Sequence, residues 1–142
     1  MLLNIFFSFL LMLVASPDQN SKNELTLKVE NIKNPDGVIR VLVFKGQEGF
    51  PDQPEYAIQN ASIKITNNSA VHTFRNLPDG TYAISLFHDS RNTGKLRTNA
   101  LGIPKDGYGF SNNAMGMIGP PSFEKAAFTL SKEAKHITIK LK

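Results

Sequence analysis

A histidine and an aspartate stand side by side at His88 and Asp89, at the end of an apolar segment. Such a pair could supply the base and the orienting group of a small hydrolase if a serine nucleophile lay within hydrogen-bond reach. Serines occur nearby, but none stands in a Gly-x-Ser-x-Gly turn. The other two histidines, His72 and His136, show no metal-ligand spacing. We therefore expect no enzymatic activity and keep the hydrolase as an alternative.

A second group of side chains could bind a ligand without reacting with it. Tyr108 and Phe110 could stack on a sugar ring or a peptide, and Asn112 and Asn113 offer both donors and acceptors. The same residues could instead anchor a loop, with the rings packed on the domain and the amides bonded to unpaired backbone groups. Both interpretations stay open, since a rigid loop also makes a better binding surface.

These residues belong to one long polar connection, residues 88–121. Structureless connections beyond about 12–15 residues are uncommon unless they bind something or are disordered. This one carries too many apolar groups for a disordered linker, Leu96, Leu101 and Ile103 among them. We therefore expect an ordered loop that provides the binding surface. The candidate ligand-binding residues are His88, Asp89, Asn92, Asn99, Tyr108, Phe110, Asn112 and Asn113.

The rest of the chain shows the two-residue alternation of β-strands, and no long run has a helical period. The segments that alternate or form a short apolar run are 24–30, 38–44, 62–66, 71–75, 81–88, 127–130 and 136–141. The turn residues at 67–69 predict that the two strands beside them pair as a hairpin. Residues 55–59, which follow a proline, could form a single helical turn.

About seven short strands separated by turn residues predict an all-β fold. We expect a single antiparallel β-sandwich, immunoglobulin- or transthyretin-like, with one long ordered loop. The sequence Leu77-Pro78-Asp79-Gly80-Thr81-Tyr82 places a turn just before a strand, and Gly80 is expected to take a positive φ there. Tyr82 can then return its hydroxyl to the upstream backbone, as in a tyrosine corner.

Composition limits the classes of function. The chain has 142 residues, 41% of them hydrophobic, which is enough for one domain with its own core. Sixteen Lys and Arg stand against twelve acids, but the basic residues are scattered, which argues against a nucleic-acid-binding face. Cysteine is absent, so disulfides, thiolate metal sites and a cysteine nucleophile are excluded.

The N-terminus has the character of a signal peptide. Residues 2–15 are nearly all apolar, a run shorter than the roughly 20 residues of a membrane-spanning helix. Small residues follow at Ala15 and Ser16, although no Lys or Arg precedes the run and Pro17 comes next. We predict a signal peptide or a retained N-terminal anchor over 1–16, a linker over 17–23 and the sandwich over 24–142. The protein is expected to be exported, periplasmic or secreted, with no other integral membrane domain.

Several short motifs occur together and in order along the chain. They are Gly49-Phe50-Pro51, Leu77-Pro78-Asp79-Gly80-Thr81-Tyr82, His88-Asp89, Gly94-Lys95-Leu96, Asn99, Gly102-Ile103-Pro104, Gly107-Tyr108-Gly109-Phe110-Ser111-Asn112-Asn113 and Pro121-Ser122-Phe123. This combination resembles the bacterial domain-of-unknown-function family numbered 2141, small proteins that are usually exported. The segment 74–82 is also similar to a hairpin of transthyretin-like and collagen-adhesin B-type domains. The family resemblance covers roughly residues 25–141 and implies a sandwich fold and export, but no particular activity.

In that family the segment after His-Asp often resembles a calcium loop, Asp-x-Asn-x-Asn-Gly-x-Leu-Asp. Calcium takes six to eight oxygen ligands, so alternate loop positions must carry Asp or Asn. This chain keeps Asp89, Gly94 and Leu96, but Arg91 and Arg97 occupy two of the ligand positions. Because arginine stays protonated, both would repel a dication. We therefore predict no cofactor and no metal, keep calcium as a disfavoured alternative with Asp89 as its single candidate ligand, and expect Asp89 to pair with one of these arginines.

Taken together, these patterns favour a non-enzymatic binding module that recognises a glycan, a peptide or an envelope component through residues 88–121. A structural envelope protein without a small-molecule ligand stays open, as does a small hydrolase that uses His88 and Asp89. The expected partner is an envelope component, a glycan or a protein, and not nucleic acid. A hydrolase requires a serine beside the His–Asp pair, whereas burial of Tyr108 and Phe110 would favour the structural role.

Overall fold

A computed structural model describes residues 23–142, which form two β-sheets packed face to face. The elements are β1 (Asn23–Glu30), β2 (Val38–Lys45), β3 (Gln59–Lys64), β4 (Ala70–Leu77), β5 (Gly80–Asp89), β6 (Tyr108–Phe110), α1 (Phe123–Ala126), β7 (Phe128–Leu130) and β8 (Lys135–Lys140). A single 3₁₀ turn lies at Pro54–Tyr56 and matches the helical turn predicted over 55–59 only in part, because β3 begins at Gln59. Ser111–Asn113 form another short turn, with a left-handed φ at Asn112. The predicted signal peptide and nearly all of the predicted linker lie outside the described residues.

The predicted all-β sandwich is confirmed. The smaller sheet has the order β4-β1-β8, and the larger has the order β3-β2-β5-β6, with β7 also paired to β5. These pairs are antiparallel except β1 with β8, which is parallel and was not expected. The last residue of β7 pairs with the first residue of β5, at the same end of the sandwich where β1 begins. The next strand, β8, therefore starts at that end and runs in the same direction as β1.

The core between the sheets follows the predicted alternation. In β1 the side chains of Leu25, Leu27 and Val29 are fully buried, at 0% exposure. β2 and β5 each bury every second residue in the same core: Ile39, Val41, Val43, Tyr82, Ile84 and Leu86. Because side chains alternate across a strand, the residues between them lie on the other side of the larger sheet, here called the outer face.

The tyrosine corner is confirmed, although its glycine behaves differently from expectation. The buried Tyr82 hydroxyl donates to the carbonyl oxygen of Pro78 at 2.5 Å. Gly80 is not among the residues with positive φ, so that part of the prediction is wrong; the left-handed residue near this turn is Asn76, at φ 62°. Asparagine tolerates this conformation because its short polar side chain can hydrogen-bond locally.

The hairpin predicted around residues 67–69 does not form. β3 pairs with β2 in the larger sheet, whereas β4 pairs with β1 in the smaller one. The chain therefore changes sheets here, and Thr66 and Ser69 keep a single antiparallel bridge. Alternation cannot distinguish the two arrangements, because each strand buries one face in the same core.

The region 88–121 contains a strand as well as loops. β6 pairs with residues 85–87 of β5, and β7 pairs with residues 80–82. β2 occupies the opposite edge of β5, so β6 and β7 together form one interrupted edge strand. Residues 90–107 are therefore a loop at one end of the sandwich, and residues 111–127 are an excursion from its edge.

Candidate functional site

The buried His88, at the end of β5, is hydrogen-bonded to the main chain. Its Nε2 lies 2.6 Å from the carbonyl oxygen of Asp36. Its backbone N–H donates to the carbonyl of Gly107 at 2.8 Å. Since neighbouring side chains of a strand point to opposite faces, the imidazole and the carboxylate of Asp89 diverge. They do not form the acid–base pair that the sequence suggested as an alternative.

Two serine hydroxyls of this region are bonded to backbone carbonyls. Ser85 Oγ donates to the carbonyl of Pro51, and Ser111 Oγ to that of Ala126, each at 2.5 Å. Within residues 23–142 neither hydroxyl hydrogen-bonds to His88. A hydrolytic nucleophile has to contact its base, and these side chains do not provide that contact.

Asp89 is buried and organises the start of the loop. Its Oδ1 accepts the N–H of Thr93 at 2.9 Å, and its Oδ2 accepts the N–H of Gly94 at 2.7 Å. The Nε of Arg40 on β2 donates to Oδ2 at 2.9 Å, so the expected pairing with an arginine of the loop itself is wrong. Burial alone would raise the pKa of Asp89, but the N–H groups of Gly94 and Thr93 and the Arg40 guanidinium together lower it below its ordinary value.

Residues 97–105 form a small hydrogen-bonded hairpin within the loop, here called the tip hairpin. The N–H of Lys105 donates to the carbonyl of Arg97 at 2.8 Å, and that of Asn99 to Ile103 at 2.9 Å. The side-chain oxygen of Asn99 accepts the N–H groups of Leu101 and Ile103 at 2.9 and 3.0 Å. Asn99 therefore holds the turn in one conformation.

A salt bridge closes the base of the tip hairpin. The Nε of Arg97 lies 3.1 and 3.0 Å from the two carboxylate oxygens of Asp106. This hydrogen bonding lowers the pKa of Asp106 and raises that of Arg97. Asn92, on the other limb of the loop, is exposed, with a left-handed φ of 52°.

Tyr108 and Phe110 lie on the outer face of the larger sheet. Phe110 is 8% exposed and packs edge-on against Phe50, at 6.1 Å between ring centroids. Tyr108 is half-buried and contacts the Phe110 ring at the same separation of 6.1 Å. Both belong to an apolar group, here called the outer cluster: Phe50, Ala83, Tyr108, Phe110, Ala114, Phe123 and Ala126. One ring thus fastens the region to the sheet while the other keeps part of its surface open.

Asn112 joins the two ends of the edge excursion, and Asn113 ties it to β8. Both have left-handed backbones, with φ values of 60° and 49°. Asn112 Nδ2 donates to the carbonyls of Lys125 and Ala127 at 3.2 and 2.8 Å. Asn113 Oδ1 accepts the N–H of Lys140 at 2.9 Å. Both residues remain exposed, so these bonds leave part of each amide in contact with solvent.

Beside Tyr108, the outer face carries side chains that the sequence analysis did not single out. Arg40, Phe87 and Tyr108 are cross-strand neighbours on β2, β5 and β6, and all three are half-buried. Ser62 on β3 continues the row and lies 2.9 Å from Arg40 Nη1. We call Ser62, Arg40, Phe87 and Tyr108 the face row; at strand spacing it is about 14 Å long. The sequence signal for it was Arg40, a charge at an outward position of an apolar strand.

Two further findings concern metals and membranes. Within residues 23–142 no three acidic or histidine side chains come close enough together to hold a metal ion. In the same part of the chain, no helix has the length and apolar character needed to cross a membrane.

Comparison with known proteins places the chain in a family. A search of curated proteins gave no match. Two structures of the pilus-presented adhesin Spy0125 (Cpa), one of them a cysteine-to-alanine mutant, align with 85% of this chain at 10% identity and a TM-score of 0.29. The chain spans 27% of the adhesin's length, and a likeness of this degree carries no argument about function. The model of the family "Uncharacterized protein conserved in bacteria (DUF2141)" matches residues 27–138, and the chain therefore belongs to this family, as its motifs indicated.

Proposed function

We propose that this protein is an exported, non-enzymatic binding module and that its ligand is a glycan held on the face row. One observation carries the proposal. Arg40, Phe87 and Tyr108 remain partly exposed on a sheet face whose neighbouring part is covered by the outer cluster. Of the candidate residues within 88–121, we expect Tyr108 to contact the ligand directly.

The chemistry of the face row suits a sugar. Phe87 and Tyr108 present ring surface on which the apolar face of a sugar can stack. The Tyr108 hydroxyl has no hydrogen-bond partner within residues 23–142 and is therefore free to bond to a sugar hydroxyl. Arg40 adds further donors, and because Ser62 and Asp89 already fix its guanidinium, little conformational entropy is lost when a ligand binds.

The remaining candidate residues would act by holding this surface in place. Asp89 fixes Arg40 from one side, and Phe110 anchors β6, which carries Tyr108. Asn112 and Asn113 fasten the chain directly after β6. In this proposal the polar groups of the region make the binding surface rigid rather than contact the ligand.

Thermal unfolding of the full chain with a panel of purified bacterial envelope glycans tests the proposal. A ligand that binds only the native state raises the free energy of unfolding by about 2.7 kcal/mol at a hundred times its dissociation constant. We expect at least one glycan to raise the melting temperature. Tyr108→Ala should abolish that rise, whereas Tyr56→Ala, which removes an exposed tyrosine outside the face row, should retain it.

Two outcomes would contradict the proposal. If both tyrosine variants respond as the unaltered chain does, the ligand binds elsewhere. If no glycan raises the melting temperature, the structural envelope protein becomes the better interpretation. The burial of Phe110, at 8% exposure, is the observation that favours this second candidate.

A further inference from the structure

The tip hairpin exposes aliphatic side chains on a fixed backbone. Leu101 is 83% exposed, Ile103 55% and Leu96, just before the hairpin, 37%. The Asn99 bonds and the salt bridge at the base hold the turn in shape. Because this backbone is already ordered, burying its apolar apex would cost little further conformational entropy.

The loop that carries the tip hairpin also has exposed positive charge. Arg91, Lys95 and Lys105 are exposed, and none of them pairs with a carboxylate within residues 23–142. The two acids of the loop, Asp89 and Asp106, are buried against arginines, so their charges are already neutralised. An anionic surface would therefore meet cations around an apolar tip.

We infer that the tip hairpin docks on the surface of an anionic lipid bilayer. Leu101 and Ile103 enter the boundary between headgroups and acyl chains, where aliphatic side chains gain free energy by leaving water. Lys95 and Lys105 keep their ammonium groups among the lipid phosphates, with their stems along the apolar surface. Binding to a membrane surface becomes stronger with the apolar area buried and with the electrostatic attraction to anionic lipids.

Other occupants fit this surface less well. The apex offers aliphatic carbon rather than aromatic faces, so it suits a sugar less than the face row does. A stable protein interface covers about 800 Å² on each partner, more than three aliphatic side chains supply. This inference concerns the end of the sandwich and does not depend on the glycan proposed for the outer face.

The chain offers a matched control on the edge excursion. Met117 and Ile118 are each 98% exposed, more than Leu101 at the apex of the tip hairpin, which is 83% exposed. No charged residue occurs between Asn112 and Phe123. The edge excursion therefore exposes apolar side chains without basic residues beside them.

A single tryptophan reports insertion directly, because the chain contains none of its own. The variants are Leu101→Trp and, as the control, Ile118→Trp, both in the full chain. The apolar residues 2–15 also favour lipid, so the readout is the local tryptophan emission rather than total binding. With vesicles of phosphatidylglycerol and phosphatidylcholine at low salt, we expect a blue shift for Leu101→Trp and little change for Ile118→Trp. High salt should weaken the shift.

The contribution of the two lysines is tested by substituting both of them, Lys95→Gln and Lys105→Gln, in the chain that carries Leu101→Trp. Each lysine near an anionic surface changes binding by about fivefold, so the lipid concentration for half the shift should rise about 25-fold. The inference is overturned if Leu101→Trp does not shift, if Ile118→Trp shifts equally, or if pure phosphatidylcholine gives the same shift. It is also overturned if removing both lysines changes nothing.

Discussion

Asp89 shows how its surroundings decide what a buried carboxylate does. Two backbone N–H groups and one guanidinium bond to its oxygens, so its charge holds the loop together. The sequence places it beside His88, which suggested chemistry, but its ionic partner, Arg40, lies 49 residues away along the chain. Adjacency in sequence therefore indicated the wrong partner, because neighbours in a strand face apart.

Tyr82 gives a prediction at the level of one hydroxyl. Tyr82→Phe removes the bond to the Pro78 carbonyl while keeping a ring that is 0% exposed. We expect a loss of about 1 kcal/mol in the free energy of unfolding, measured with urea. Tyr108→Phe is the control and should stay within about 0.5 kcal/mol, since its hydroxyl has no partner within residues 23–142. Equal losses in the two variants would mean that the corner bond contributes nothing.

At the level of elements, β6 depends on a glycine that lies close to the smaller sheet. A Cβ added at Gly109 would lie 2.6 Å from Ile139 Cγ2, a side chain that is fully buried and cannot move aside. Gly109→Ala should therefore cost about 1–3 kcal/mol through overpacking. The same steric clash would also displace Tyr108, the neighbouring residue on this short strand.

Gly80→Ala is the matched control for this loss. At Gly80 an added Cβ would meet the Cε of Lys45 at 2.7 Å, and that exposed side chain can swing away. Its φ is not positive, so alanine fits the backbone and stability should change by no more than about 0.5 kcal/mol. Urea unfolding of both variants measures the difference, and similar losses would show that close packing at Gly109 is not limiting.

The loop that begins at Asp89 gives a prediction about calcium. Both oxygens of this carboxylate already accept hydrogen bonds, and a dication would have to displace the Arg40 guanidinium as well as two N–H groups. We expect millimolar calcium to leave the melting temperature unchanged relative to sodium chloride of the same ionic strength. A rise of several degrees that chelator reverses would show that the loop binds metal in spite of its arginines.

Across the whole molecule, the features that the sequence predicted correctly are those that depend on residues close together along the chain. The alternation in β1 and the Tyr82 corner both follow from short segments, and both were predicted correctly. The sheet that β3 joins depends on contacts with β2, and β6 is only three residues long, too short for a pattern to show. The face row was missed for the same reason, since it consists of single residues from different strands.

Stability should fall in acid, because three carboxylates are bonded more strongly in the folded chain than in the unfolded one. A hydrogen bond from Asn23 lowers the pKa of Asp79, and one from Arg97 lowers the pKa of Asp106. The pKa of Asp89 is lowered by backbone N–H groups and Arg40, which outweigh the effect of burial. The unfolded chain therefore binds more protons at low pH. The stabilisation is complete above the unfolded pKa of about 4 and is lost as the pH falls through the lower folded values.

Asp89→Asn isolates the contribution of the most buried of the three carboxylates, whose side chain is 2% exposed. At neutral pH the variant should lose about 1.5–3 kcal/mol, the range for hydrogen bonds to a charged group. Below about pH 4 the unaltered chain also starts to lose this contribution, because Asp89 becomes protonated. The free energies of unfolding of the unaltered chain and the variant should therefore converge. Urea unfolding at a series of pH values measures this. A difference that stays constant down to pH 2 would mean that the loss in Asp89→Asn does not come from the charge of Asp89.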